Sequence, residues 1–189
     1  MIRIGMIGEY PTDVNCISAL LSKKFKDNIE FYTLVYDVHG SNLDNQKVKH
    51  QLRREYQYQK ANWVIFIRDL DAPESDLEKV KIRKDKFTEF NSVVDKKGIL
   101  FLNVQELEAI LLADFKVLNN KYNIDLEPIE DCMQIPNPKD YIKNKINRYN
   151  TGDNAELFSA CDYETVLRNC RYFKTFDDNF SRLLNETLI

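Results

Sequence analysis

No apolar run in this 189-residue chain reaches the ~20 residues needed to span a bilayer. The opening Met1-Ile2-Arg3-Ile4-Gly5-Met6-Ile7-Gly8 runs directly into a strand pattern, not a secretory signal. Together these absences place the expected location in the cytosol. The four cysteines, Cys16, Cys132, Cys161 and Cys170, show no CxxC spacing. They read as reduced, partly buried thiols, not as a zinc site or a disulfide framework. Histidine is scarce, and His39 and His50 stand apart from each other. No GxxxxGK[ST] phosphate loop is present, since Gly5 and Gly8 do not make one. Internal repeats and low-complexity tracts are also missing. A formal net charge of −3 gives no global attraction to nucleic acid, although a local basic groove is compatible with it.

What is present reads as an ordinary globular chain, with 43% hydrophobic and 30% charged residues. Four β-rich runs occur at residues 2–7, 29–36, 63–67 and 99–102. The third, WVIFI, and the fourth, ILFL, are nearly continuous apolar runs, as expected for strands covered on both faces. Between them lie predicted helices at about 13–24, 44–60 and 74–96. The first starts after Pro11-Thr12 and buries Val14, Ile17 and Leu21. Strand and helix alternating at this spacing predict an α/β fold, with a mostly parallel four-stranded sheet flanked by helices and joined by right-handed crossovers. Residues 126–138 hold three of the five prolines and mark a loop. Helices are expected after it near 140–148, 155–159, 163–169 and 176–187. The reading is an α/β domain at 1–125 and a helical C-terminal extension at 126–189 packed on it.

In open α/β sheets, functional groups gather outside the carboxyl ends of the strands. Glu9 follows the first strand, Asp69 follows the third, and Asp71 is two residues on. In extended chain, residues i and i+2 point the same way, so Asp69 and Asp71 can face one ion. A helix from Val104 onward would bury Val104, Leu107, Leu111 and Phe115. On that helix Glu108 falls inside the buried stripe and Glu106 on the solvated side. A buried carboxylate needs a partner, be it a cation, a base or a metal. Strand-end acids also serve as turn formers and caps. All-oxygen ligation suits Mg²⁺ or Mn²⁺.

These residues resemble the Toprim domain shared by topoisomerases, primases and overcoming-lysogenization-defect (OLD) nucleases. Toprim has a glutamate after its first strand and a DxD after a later one. Here Glu9 lies in Ile7-Gly8-Glu9-Tyr10-Pro11-Thr12-Asp13, and the DxD is Asp69-Leu70-Asp71. The finer likeness is to a bacterial branch of OLD-like Toprim proteins reading roughly E-G-x-T-E, then E-(L/I)-E-A-W-L-L-A-D after the fourth strand. This chain has Glu106-Leu107-Glu108-Ala109-Ile110-Leu111-Leu112-Ala113-Asp114. The segment from Ala155-Glu156-Leu157-Phe158 to Phe173 and Phe176 is similar to that branch's helical end. Tyr10 and Pro11 replace the usual Gly, and Asp13 stands where a second Glu is common.

The resemblance implies a phosphodiester-cleaving metal site using Mg²⁺ or Mn²⁺. Asp69, Asp71 and Glu9 would hold the first metal, with Glu9 as general base, and Glu108 and Asp13 would serve a second. Lys145, with Lys143 and Arg148 nearby, would stabilise phosphate charge. The expected function is a metal-dependent nuclease acting on DNA or RNA, in phage defence or a related stress system. Two alternatives stay open. One is a non-catalytic or partner-activated Toprim subunit working with a separately encoded ATPase. The other is a small-nucleotide phosphotransferase.

Overall fold

The computed structural model describes residues 1–189 except Tyr10, Asn28 and Ile189. Strands β1 (Ile2–Ile7), β2 (Ile29–Thr33), β3 (Trp63–Asp69) and β4 (Gly98–Asn103) form one parallel sheet in the order β2-β1-β3-β4. The α/β expectation holds. β1 pairs with β2 through Ile4↔Phe31 and with β3 through Ile7↔Phe66. Burial follows the position of each strand. The central β1 and β3 are buried along almost their whole length, whereas edge strand β2 is mostly half-exposed. β4 alternates buried and half-buried residues, the period-2 pattern of a strand with one wetter face.

Helix α1 (Thr12–Leu21) links β1 to β2, α2 (Gln46–Gln59) links β2 to β3, and α3 (Leu77–Asn91) links β3 to β4. Capping decides where two of them start. The Asn45 side chain accepts from Lys47 N ahead of α2, and Asp76 accepts from Lys79 N ahead of α3. α2 stops where Lys60 turns left-handed, at φ 55°. The second strand ends at Thr33, short of the expected Tyr36, as the chain bends over buried Leu34 and Val35 to a left-handed Asp37 at φ 57°.

The chain divides into two compact units. The first comprises Met1–Arg68 and Ser75–Leu102, the second Asp69–Glu74 and Asn103–Ile189. The proline-rich loop at 126–138 thus lies inside the second unit. The first unit's core joins Ile7, Leu34, Leu52, Val64, Phe66 and Phe90. Phe66 meets Phe87 edge-on with centroids 5.4 Å apart.

The second unit is helical: α4 (Ala109–Ala113), α5 (Lys116–Tyr122), α6 (Pro138–Lys145), α7 (Asn154–Ala160), α8 (Tyr163–Asn169) and α9 (Arg171–Leu188). α9 starts earlier than expected and lays Phe173, Phe176 and Phe180 in a buried row, the last two stacked at 5.7 Å. The single helix expected from Val104 does not form. Gln105 adopts φ 62°, a conformation a right-handed helix cannot contain. The helix begins only at Ala109 and breaks again at Asp114, where φ is −121° and ψ 62°. All four cysteines are buried thiols outside any disulfide. No helix among the described residues is long and apolar enough to cross a membrane.

Candidate functional site

The strand order sets where chemistry can gather. From β1 the chain turns to β2 on one side, then α2 carries it back across to β3 on the other. β1 and β3 are therefore neighbours whose connections leave in opposite directions. At such a switch point a crevice opens beyond the carboxyl ends. Ile7 and Phe66 are register partners, and Glu9 lies two residues past the one, Asp69 three past the other. Gly8 permits the close approach of β1 to β3. A Cβ there would lie 3.0 Å from Ile67 Cβ and 3.3 Å from Asp13 Cβ.

Asp13 holds Glu9 in place. Its Oδ2 accepts from Glu9 N at 3.2 Å while Asp13 N donates to Glu9 O at 2.9 Å. The carboxylate sits in the first turn of α1 and is buried, where the helix N-terminus favours negative charge. Asp13 thus has a capping task that the sequence did not show. The half-buried Glu9 directs Oε1 toward Gly40, 3.8 Å from where a Cβ on that residue would stand. Gly40 itself is left-handed, at φ +47°.

Sequence reasoning missed Arg68. It is 7% exposed. Its Nη1 donates to Ile67 O at 3.2 Å, and its Nη2 to Leu43 O at 3.1 Å and to Asp44 Oδ1 at 3.4 Å. Asp44 Oδ2 also receives Arg83 Nη1 at 3.1 Å. Burial draws the Arg68 guanidinium below its ordinary range. Asp44 opposes that shift, Arg83 adds to it, and Asp13 opposes it. The available signal was a charge inside the otherwise apolar strand WVIFIRD.

In the second unit the two aspartates do not continue as a strand. Leu70 N donates to Asn103 O at 2.8 Å and Asp71 N to Gln105 O at 2.9 Å. Asp71, however, is left-handed at φ 54°, so the extended alternation that would aim Asp69 and Asp71 alike ends at Leu70. Asp69 is half-buried, with Oδ1 accepting from Asn103 Nδ2 at 3.0 Å, whereas Asp71 is exposed. Non-glycine residues held at positive φ cost of order 1–3 kcal/mol and cluster at functional sites. Asp71 and Gln105 are joined here by one backbone hydrogen bond.

Glu108 precedes α4 in a helical turn, at φ −62° and ψ −17°, and is 4% exposed. Its expected partner exists. Oε1 accepts from Asn154 Nδ2 at 3.1 Å, and Lys139 Nζ stands 4.0 Å away. Asn154 in turn accepts from the Tyr149 hydroxyl at 2.7 Å. Glu106, expected to be solvated, is half-buried. It takes Lys139 N at 3.0 Å and Lys139 Nζ at 3.7 Å. With no helix at 104–108, the two glutamates are not on opposite faces. Burial raises the Glu108 pKa, with Lys139 opposing.

Lys139 was absent from the basic candidates. Of those, Lys143 and Lys145 are exposed, Lys145 lying over the Tyr141 ring at 5.9 Å, and Arg148 Nη2 is bound to Tyr122 O at 2.7 Å.

The Glu108 shift gives a test. Because its folded pKa lies above the unfolded value, ionising it in the folded state costs stability. That cost is absent below the ordinary carboxyl range and grows as pH rises through the folded pKa. Glu108→Gln keeps the acceptor for Asn154. It is expected to raise the melting temperature at pH 8 and to leave it unchanged near pH 4. An equal gain at both pH values would mean that ionisation is not the cause.

Among the described residues no three His, Cys, Asp or Glu side chains are already drawn together as a metal-holding group. Taken singly, Glu9, Asp69 and Asp71 each offer the carboxylate oxygen that hard cations such as Mg²⁺ and Mn²⁺ take. In comparisons with known proteins, the family model Domain of unknown function (DUF4276) matches residues 9–180. No curated protein and no solved structure matches.

Proposed function

We propose that this chain, which belongs to the family Domain of unknown function (DUF4276), is a Mg²⁺- or Mn²⁺-dependent phosphodiesterase of nuclease type. The observation that carries the reading is the β1/β3 switch point in the strand order, with Glu9 two residues past the end of β1 and Asp69 the last residue of β3. The resemblance of these segments to the Toprim site of OLD-type nucleases points the same way, and with it a role in phage defence.

By the resemblance, Glu9, Asp69 and Asp71 would be the residues that hold the cation. Once bound, it supplies Lewis-acid polarisation of the phosphate and a water acidic enough to attack at neutral pH. The chain's own groups set the rest. Asp13 fixes the backbone that carries Glu9. Glu9, half-buried, would accept a proton from water. Asn103 orients Asp69 through Oδ1.

A second reading has an observation of its own. Glu108 already has Lys139 as its cation, and the acids are not pre-gathered among the described residues. In that reading the chain is the Toprim-like subunit of a complex with a separately encoded ATPase, and the partner draws the acids together.

Metal binding by the isolated chain separates the two. A ligand at 100 times its dissociation constant adds about 2.7 kcal/mol to the folded state. For a chain of this size that is a rise of roughly 5–11 °C in Tm. Mn²⁺ at millimolar concentration is expected to give such a rise, and Asp69→Asn to remove it. No rise with the wild-type chain would sink the self-sufficient enzyme and move the complex reading ahead.

A further inference from the structure

The first unit holds a cleft of about 510 Å³ at the head of α2, which the hydrolytic reading does not use. Its wall includes Tyr36, Asp37, Asn42, Asn45, Lys47 and Gln51. Three carboxamides there present donors and acceptors together, which is what the edge of a nucleobase needs. Tyr36 is half-exposed and offers a ring at the rim. Asn42 belongs to the 3₁₀ turn Gly40–Asp44, and Glu9 Oε1 is 3.8 Å from where a Cβ on the first residue of that turn would stand. Cleft and Glu9 therefore share one short loop.

From the cleft, one outer stripe of α2 runs through Lys47, Gln51, Arg54 and Tyr58. At ~100° per residue these four fall on one side of the helix. Tyr58, at the far end, is 84% exposed, an unusual place for an aromatic ring. The stripe is about 16 Å long, the length of roughly five stacked nucleotides.

Charge on these helices favours a polyanion. α2 carries four Lys or Arg against one acid, and α3 five against three. These helices hold +5 in a chain of net charge −3. Some of these bases are engaged, Lys49 with Glu89, Arg83 with Asp44 and Arg54 with Glu55. The local sign stays positive while the rest of the chain is acidic.

We propose that the cleft and the outer stripe of α2 bind single-stranded nucleic acid, with one base seated among the carboxamides and another stacked on Tyr58. This rests on the phosphodiesterase reading for what happens to the strand, but binding itself requires no metal. A basic face interleaved with exposed rings is how single strands are held without sequence preference. A duplex would hide the base faces that the rings contact.

The test is fluorescence anisotropy of labelled twelve-residue oligonucleotides, one DNA and one RNA, with the full chain in EDTA. Wild type is expected to bind at least one of them with a salt-dependent dissociation constant, and the arms tell DNA from RNA. The double variant Lys47→Ala/Tyr58→Ala is expected to weaken binding by roughly tenfold or more. It should also flatten the log–log salt slope by about 0.7, because one lysine no longer neutralises a phosphate. Both residues are exposed, so the variant should melt with wild type.

The proposal is overturned if wild type binds neither strand or if the double variant binds as well as wild type. It is also overturned if the matching duplex binds equally well, or if polyglutamate displaces the strand at equal charge concentration, which would indicate an acidic protein partner. Loss confined to Lys143→Ala/Lys145→Ala would move the strand to the second unit and likewise end it. Strand binding without metal-dependent cleavage would sink only the hydrolytic reading. Cleavage untouched by the double variant would sink only this one.

Discussion

Cleavage of a fluorogenic phosphodiester or oligonucleotide in Mn²⁺ is expected to fall on the order of a thousandfold in Asp69→Asn. Lewis-acid stabilisation is worth several kcal/mol, and each 1.36 kcal/mol is about one decade in rate. Asn keeps the oxygen that accepts from Asn103 Nδ2, so the local fold is retained and only the proposed anionic ligand is removed. Glu9→Gln should fall comparably, because the amide can neither ligate strongly nor take a proton. Asp13→Asn should fall less, since it caps the Glu9 backbone and still offers an acceptor. The order is the useful part of the measurement. If Asp69→Asn retains wild-type rate, any activity in the preparation comes from another site or a contaminant.

Arg68→Ala carries the largest expected stability loss. Removing one partner of a buried ion pair costs about 3–5 kcal/mol. Here the lower end applies, because Asp44 keeps Arg83 after the change. The Leu43 carbonyl loses its donor as well. For a chain of this length, about 3 kcal/mol corresponds to roughly 6–12 °C in Tm. Arg68→Met with Asp44→Asn should recover much of the loss, since a neutral pair avoids desolvating charge. A drop of less than about 2 °C for Arg68→Ala would mean that water reaches the guanidinium and the pair is effectively a surface one.

Periodicity carried the sheet. The runs at 63–67 and 99–102 became β3 and β4, and the α8 segment fell where its pattern placed it. Two of the failures share a cause. The helix expected from Val104 and the extended Asp69-Leu70-Asp71 both assumed that a local period continues. Each was broken by a residue at positive φ, Gln105 and Asp71, whose backbones bond to each other. The two lie 34 residues apart in sequence, and no periodic pattern records such a pairing.

The sequence by itself determined the α/β class and the placement of acids at strand ends, because apolar spacing and chain order are local properties of the residues. Only the tertiary structure decided that β1 and β3 are neighbours, that Lys139 stands beside Glu108, and that Arg68 is buried against Asp44. Partner choice for a charge depends on which groups folding brings within about 4 Å while excluding water, and that is fixed only when the whole chain has closed around them.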